Sequence, residues 1–304
     1  MAKRSQKIRN ALALPNPLPH IGHSHTLQVR DMAKGEFMIK RSLAFGVVAL
    51  VGLVPAALAD NFRPHRAVYD LTLKSAESKS GISALTGKMV FEVQGSACEG
   101  YAVEFRLITE ISASNGAGRL TDVRTSSFEA GDGADFQFLT KTYLDQKLAQ
   151  ESRGAATRGK GKLEIAITKP EEKKISFDQR IMFPSQHFLE IIRLAQAGEK
   201  FFSVDVYDGS EEGDTFFETA AVIGKPREIE VPEGEPASES KTHWPITISY
   251  YDPRKGKIDA TPIYTLRFLA NAPGISRDLS MDYNSFVIKG KLSDLTYFPL
   301  QSCE

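Results

Sequence analysis

Outside the first 37 residues, the side chains best suited to acid–base chemistry are three histidines, His65, His187 and His243. His187 ends the segment FPSQH, where a helix is predicted to begin. Two interpretations stay open for it: a base that faces a ligand near the helix N-terminus, or a partly buried histidine bonded to the backbone. His243 precedes Trp244 and Pro245, a group that either stacks on a sugar or peptide or simply begins a strand.

Two charged groups could contact ions or polymers. A run of five acidic residues between positions 205 and 214 suggests a calcium site, since hard cations prefer clustered oxygens. Its spacing does not match an EF-hand loop, so we predict a solvated hairpin turn. The basic groups are predicted to be solvated turns, with contacts to anionic envelope polymers as the alternative. The acidic run is Asp205, Asp208, Glu211, Glu212 and Asp214; the basic groups are Arg158, Lys160 and Lys162, and Arg254, Lys255 and Lys257.

No catalytic motif stands out in the sequence. It contains no Gly-x-Ser-x-Gly, no His-Glu-x-x-His and no Walker loop. We therefore predict a protein that is not an enzyme and holds no metal or cofactor. A cell-wall hydrolase or transferase that uses His187 with a nearby carboxylate is the alternative.

Residues 38–59 have the pattern of a secretory signal peptide. The basic pair KR precedes an apolar run over residues 43–53, and the sequence ALA then fits the small-x-small rule. Cleavage is predicted between Ala59 and Asp60. The run is too short to span a bilayer core of about 30 Å, so no membrane span should remain. An uncleaved anchor or a buried helix is the alternative.

The segment before the signal peptide has no pattern of its own. Residues 1–37 show no apolar periodicity, and we interpret them as an over-extended start or a disordered extension. Metal binding by His20, His23 and His25 is the alternative. Residues 60–304 are predicted to be a single domain, exported to the periplasm as a monomer.

The cysteines and the net charge agree with export. Cys98 and Cys303 are the two cysteines of the chain, and in an oxidising compartment such a pair usually forms one bridge. Two buried free thiols are the alternative. Residues 1–59 hold eight basic and two acidic residues of the 38 of each, so the remainder has 30 and 36, a net charge of −6. Mild acidity argues against a nucleic-acid partner.

Period-two alternation dominates the chain after His65. Segments such as Ala67-Val68-Tyr69-Asp70-Leu71 and Ile246-Thr247-Ile248 alternate apolar and polar residues, as half-buried antiparallel strands do. Turn signals about 8 to 15 residues apart connect them by hairpins. The sequence thus predicts an all-β, mainly antiparallel fold of about twelve to fourteen strands.

One helix and one long loop interrupt this pattern. The helix is predicted to be capped by Ser185 and ended by Gly198, with an apolar stripe that docks on or in the rolled sheet. Residues 226–245 are predicted to be an exposed, mobile loop. The stripe is Phe188, Ile191, Ile192 and Ala195.

Taken in order, several segments resemble the EipB family of cell-envelope integrity proteins, long described as a domain of unknown function. They are HRAVYDLTL at residues 65–73, CEGY at 98–101, FPSQH at 183–187, YDGSE at 207–211 and the terminal Cys303. The resemblance covers essentially residues 63–304. It implies a periplasmic β-spiral with one helix and one internal disulfide between Cys98 and Cys303, a fold similar to the Lol lipoprotein carriers, and no established enzymatic activity.

Three functions follow as hypotheses. The first is a non-enzymatic periplasmic protein that supports envelope integrity and stress resistance by binding a protein partner or an envelope component on its curved sheet, with His187 and Trp244 as possible ligand-facing residues. The second is a carrier of a lipophilic ligand or lipoprotein acyl chain. The third is the cell-wall enzyme described above.

Overall fold

The computed structural model of the protein describes residues 62–178, 180–255 and 261–301. The predicted signal peptide, its cleavage site at Ala59 and Asp60, and Cys303 lie outside the described residues, as do residues 1–37. Within the described ranges the chain forms one α-helix, α1 (Pro184–Gln196), and fifteen strands. The strands are β1 (His65–Ala76), β2 (Ile82–Ser96), β3 (Gly100–Ala113), β4 (Gly118–Glu129), β5 (Asp135–Leu144), β6 (Lys147–Arg158), β7 (Lys162–Lys169), β8 (Lys173–Asp178), β9 (Phe201–Val206), β10 (Phe217–Ile223), β11 (Arg227–Glu228), β12 (Thr242–Tyr251), β13 (Tyr264–Ala270), β14 (Ser276–Asp282) and β15 (Phe286–Tyr297).

The strands form one antiparallel sheet that follows the chain almost in order. Its path is β8-β7-β6-β5-β4-β3-β2-β1-β15-β14-β13-β12-β10-β9, and β11 pairs with β12. The first strand therefore pairs with the last, with His65 opposite Tyr297. Since the path begins at β8 and ends at β9, the sheet of the described residues is not closed.

The sheet curls so that distant strands share a core. In the first core, Ala67 of β1 packs in one cluster with Ala221 of β10 and Ile246 of β12. In the second core, strands β5 and β7 pack against the segment after β9 through Phe138, Leu163 and Tyr207. We call the side of the sheet that carries both cores the concave face.

The two edges of the sheet approach each other through aromatic contacts. The ring of Phe177 on β8 lies 6.0 Å from that of Tyr207 and 5.1 Å from that of Phe216, measured between centroids. The curl of the sheet produces these contacts, because β8 and β9 are the first and last strands of the hydrogen-bonded path. The described residues thus form an open barrel.

The predicted fold class is confirmed: a mainly antiparallel all-β fold with a single described helix on the sheet. The strand count exceeds the prediction because β11 has only two residues and therefore no visible alternation. No helix among the described residues is long and apolar enough to cross a membrane. The likeness to the Lol carriers stays a prediction.

The connection between β9 and β10 corrects one prediction. The acidic run lies here, but it is not a solvated turn: Tyr207, Gly209 and Gly213 are buried. The Tyr207 hydroxyl donates a hydrogen bond to the Gly213 carbonyl at 2.7 Å, and Ser152 of β6 donates one to the Gly209 carbonyl at 2.9 Å. The loop docks on the second core because its glycines let it approach Phe138 closely.

Gly209→Ala should therefore lower the free energy of unfolding by about 2 kcal/mol, through overpacking and a left-handed backbone. Gly209 has φ +68°, and an added Cβ would lie 2.3 Å from Cγ of Phe138. Gly159→Ala is the matched control, since its Cβ would meet nothing nearer than 3.8 Å. Urea unfolding of the two variants checks this; equal losses would contradict the packing described.

Arg158 corrects a second prediction, that of a solvated basic turn. Its Nε donates to the Gly133 carbonyl at 3.0 Å and its Nη2 to the Ile181 carbonyl at 3.1 Å. The guanidinium also lies over the Phe183 ring, 5.1 Å from the centroid. Arg158 thus fixes the segment that leads into α1.

Residues 226–245 correct a third prediction. We predicted an exposed loop, but β11 lies within it and β12 begins at Thr242. Glu235 in its middle forms a buried ion pair with Arg277 of β14, with 3.0 Å between Oε2 and Nη1. Composition alone hides this contact, because the partner residue is 42 positions away.

Candidate functional site

The start of α1 is held by a carboxylate from a distant strand. Phe183 precedes the helix and offers no polar side chain, and Pro184 opens it. The backbone N–H groups of Ser185 and Gln186 donate to Oε1 and Oε2 of Glu129 at 2.6 and 3.2 Å. Helix N-termini leave such groups without partners and favour negative charge, so Glu129 acts as the cap.

The prediction that Ser185 caps the helix is thus wrong, while the predicted end at Gly198 is confirmed. Ser185 lies inside the first turn, and the cap comes from β4 instead. At the other end, Gly198 has φ +82° and its N–H donates to the Ala195 carbonyl at 3.1 Å. Sequence reasoning missed Glu129 because a cap 56 residues away leaves no local signal.

Glu129 is 1% exposed, and its ionisation is shifted accordingly. Burial raises the pKa of Glu129 to about 7, while the hydrogen bonds from Ser185 and Gln186 oppose this rise. A carboxyl that titrates near neutral pH therefore lies against the helix N-terminus.

His187 lies on the face of α1 that packs against the sheet, and it is 3% exposed. Its Nε2 is 3.2 Å from Oγ1 of Thr219, which itself donates to the Val204 carbonyl at 2.6 Å. Because the Thr219 hydroxyl already donates its proton to the Val204 carbonyl, His187 Nε2 is the donor in its pair with Thr219. The histidine is buried, as one interpretation held, but its partner is a side chain rather than backbone. A ligand-facing role for His187 stays a prediction.

Protonation of the buried His187 should lower the free energy of unfolding at acidic pH. Burial lowers the pKa of His187 to about 4, so the stability it contributes is present above its ordinary pKa of 6.5 and is lost as the pH falls toward 4. Relative to His187→Gln, the wild type should lose about 2 kcal/mol between pH 7 and pH 5. Urea unfolding at both pH values measures this; a pH-independent difference would contradict the buried neutral imidazole.

His243 and Trp244 begin strand β12, as one of the two interpretations predicted. Trp244 is 9% exposed and packs in the first core, and its Nε1 is buried without a hydrogen-bond partner in the described part of the chain. His243 is 1% exposed and lies on the opposite side of the strand. A ligand-stacking role for Trp244 stays a prediction.

The acidic run does not gather into a metal site. Among residues 62–178, 180–255 and 261–301, no group of three histidine, cysteine, aspartate or glutamate side chains is placed to hold a metal ion. Asp214 instead pairs with Lys173 at 2.6 Å, and Glu211 pairs with Arg254 at 3.2 Å. These contacts tie the loop to its neighbours.

The concave face keeps a band of partly exposed apolar side chains. They come from strands β1, β2, β3, β12 and β13 and from the turn after β14, and all pack against the first core while retaining accessible surface. An apolar surface of this kind suits a ligand or partner that offers apolar groups. The side chains are Leu73, Met89, Leu107, Tyr250, Leu266 and Tyr283.

A row of aromatic rings continues this band across β12, β13 and the start of β15. Tyr250 stacks on Tyr264 with 4.2 Å between centroids, Tyr264 on Tyr283 at 6.0 Å, and Tyr283 on Phe286 at 5.1 Å. Burial raises the pKa of Tyr250 to about 12 and also raises that of Tyr264 well above its ordinary value, so both hydroxyls stay neutral. The row offers stacking surface with a few neutral hydrogen-bonding groups.

Of the two cysteines in the predicted disulfide, Cys98 is among the described residues and Cys303 is not. Cys98 lies in the turn between β2 and β3. Val93 of β2 and Tyr297 of β15 are both opposite His65 of β1, so the C-terminal segment leaves the sheet at the end where Cys98 lies. Because Cys303 is outside the described residues, the pairing stays a prediction.

Comparison with known proteins agrees with this architecture. The family model described as EipB-like matches residues 56–299. Cell envelope integrity protein EipB of Brucella abortus (strain 2308) is 42% identical over 251 residues, 81% of this chain and 88% of that protein. The crystal structure of a beta-barrel-like protein of domain of unknown function DUF1849 from Brucella abortus has a TM-score of 0.73 and 41% identity over 78% of this chain and 99% of that one. The curled sheet described above thus belongs to a protein of the EipB-like family.

Proposed function

We propose that this chain supports the integrity of the cell envelope from the periplasm, as a non-enzymatic protein that binds a partner protein or an envelope component on the concave face. The observation that carries the proposal is the 42% identity, over 81% of the chain, to a relative named for envelope integrity. The apolar band and the aromatic row supply a surface for binding.

Growth of a deletion strain tests the envelope role. Loss of the chain should lower survival on detergent, bile salts and a cell-wall antibiotic, and a plasmid copy should restore it. A copy with Leu107→Asp, on the concave face, should restore it less well than one with Ile108→Asp, whose side chain lies on the other side of β3. Unchanged survival of the deletion strain under all three stresses would refute the envelope role.

A second candidate is a carrier for a lipophilic ligand, favoured by the partly exposed band on the concave face. Native mass spectrometry of the protein purified from the periplasm should then show a co-purifying lipid. The lipid should be lost from Leu107→Asp and kept by Ile108→Asp. Finding only ligand-free protein in all three preparations would refute the carrier function while leaving the envelope role open.

A further inference from the structure

Arg277 on β14 is the largest fully buried side chain in the described part of the chain, at 1% exposure. It pairs with Leu269 of β13 across the sheet, on the side opposite the cores, where an arginine would ordinarily reach solvent. Its burial therefore depends on a segment that covers this side of the sheet.

That segment is the loop of residues 230–240 between β11 and β12, which we call the strap. Its Glu235 carboxylate accepts a hydrogen bond from Nη1 of Arg277 at 3.0 Å, and the Pro236 carbonyl accepts one from Nη2. Farther along, the Glu239 N–H donates to the Tyr297 hydroxyl at 3.1 Å. A glutamate and the proline after it thus occupy both arms of the guanidinium fork.

In the described ranges, the strap does not pair with every buried hydrogen-bonding atom around Arg277. Arg277 Nε and His243 Nε2 are both buried without a hydrogen-bond partner in the described ranges. His243 Nδ1 lies 2.8 Å from the Lys241 carbonyl, so Nδ1 carries the proton and Nε2 is an acceptor. The site therefore has one further donor and one further acceptor, on two side chains that are each 1% exposed.

Much of the strap makes no comparable contact. Pro232, Glu233, Gly234 and Ala237 are exposed, on either side of Glu235, whose side chain is buried. Displacing the strap therefore gives up few contacts besides those of Glu235, Pro236 and Glu239. A competing segment that supplies the same carboxylate and carbonyl would recover the deepest of them.

We propose that Arg277 forms a carboxylate-recognition site that the strap occupies in cis and that accepts, in trans, an extended acidic segment of a partner protein with glutamate followed by proline; His243 Nε2 is left to accept an N–H from that segment. The strap itself shows the chemistry that fits. A proline after the glutamate keeps such a segment extended and reduces the entropy lost on binding. The site lies on the side of the sheet opposite the concave face, so this proposal and the proposed function stand or fall separately.

The test uses Glu235→Ala, which removes the internal carboxylate, and Glu233→Ala as its exposed control from the same loop. The probe is a labelled peptide of residues 229–241, IEVPEGEPASESK, alongside the same peptide with Gln at the position of Glu235. Fluorescence polarisation should show that Glu235→Ala binds the first peptide about tenfold or more tightly than the second. The melting temperature of Glu235→Ala should rise with the first peptide, and that of Glu233→Ala should stay unchanged.

Equal binding of the two peptides, or binding of neither, would overturn the proposal and leave Arg277 as an anchor for the strap alone. If Glu235→Ala does not fold, the wild-type chain provides the readout. Excess glutamate peptide should then speed hydrogen exchange of the strap amides, whereas the glutamine peptide should not. Unchanged exchange with both peptides would equally overturn it.

Discussion

Replacing Cys98 by serine is expected to lower the free energy of unfolding by as much as about 5 kcal/mol, the loop-closure value for a bridge from Cys98 to Cys303. The bridge would close a loop of 206 residues, counted from 98 to 303 inclusive. The effect arises in the denatured chain, which regains conformational freedom when the link is cut. Thermal or urea unfolding of the oxidised protein measures it.

Strand register supports this pairing. Val93 and Tyr297 lie on either side of β1, opposite the same residue, and adjacent strands are about 4.8 Å apart. They are therefore about 10 Å apart. The five residues from Val93 to Cys98 and the six from Tyr297 to Cys303 are enough chain to close that gap.

The single and double cysteine variants can be compared with one another. Cys303→Ser and the double variant should lose the same free energy as Cys98→Ser, since each removes one and the same link. Glu99→Ser, an exposed change in the same turn, is the control and should cost little. A wild-type melting curve that reducing agent leaves unmoved would contradict the prediction.

Glu129→Ala is expected to lower the free energy of unfolding by about 3 kcal/mol. The substitution removes both carboxylate oxygens from the buried N–H groups of Ser185 and Gln186 and leaves the helix start without its cap. Glu164→Ala on the exposed side of β7 is the control and should cost little. Urea unfolding at neutral pH compares the two.

The same carboxyl makes stability depend on pH. Since the pKa of Glu129 is raised to about 7 in the folded protein, the native state holds a proton that the unfolded chain releases above its ordinary value of 4.5. The contribution of this group is present below pH 4.5 and is lost as the pH rises through 7. Compared with Glu129→Gln, the wild type should lose about 2.5 kcal/mol between pH 5 and pH 8.

Glu129→Gln and His187→Gln should thus change the pH profile in opposite directions. The glutamine at 129 keeps one carbonyl oxygen for the helix amides and cannot titrate. If the wild type and Glu129→Gln have parallel stability profiles from pH 5 to pH 8, Glu129 is not the buried, protonated group described here.

Local patterns in the sequence predicted the elements of this fold. Alternation in Ala67, Tyr69 and Leu71 placed β1, and the spacing of Ile191, Ile192 and Ala195 placed the buried face of α1. Both patterns are informative because each element buries one side, and the spacing of its apolar residues along the chain follows from that burial. The resemblance to the EipB family, now confirmed, supplied the expectation of a curled sheet.

What the sequence did not reveal are contacts between residues far apart in the chain. Glu129 at the start of α1, Arg158 beside Phe183, and Glu235 on Arg277 are polar or charged residues that composition assigns to solvent. The side chains of Glu129 and Glu235 are buried and Arg158 is partly buried, because a partner elsewhere in the chain meets the hydrogen-bonding groups of each, and no local period encodes that partner. The same limit applies to the docked acidic loop, whose glycines fit Phe138 from another strand.

We propose above that this chain acts in the cell envelope, after export. The most direct test is plating of its deletion strain on detergent, with a plasmid copy of the whole chain or of the chain lacking residues 38–59. The whole chain should restore survival, and the shortened chain, produced at the same level, should not. Equal rescue by both would contradict the proposal, because a protein retained in the cytoplasm would then suffice.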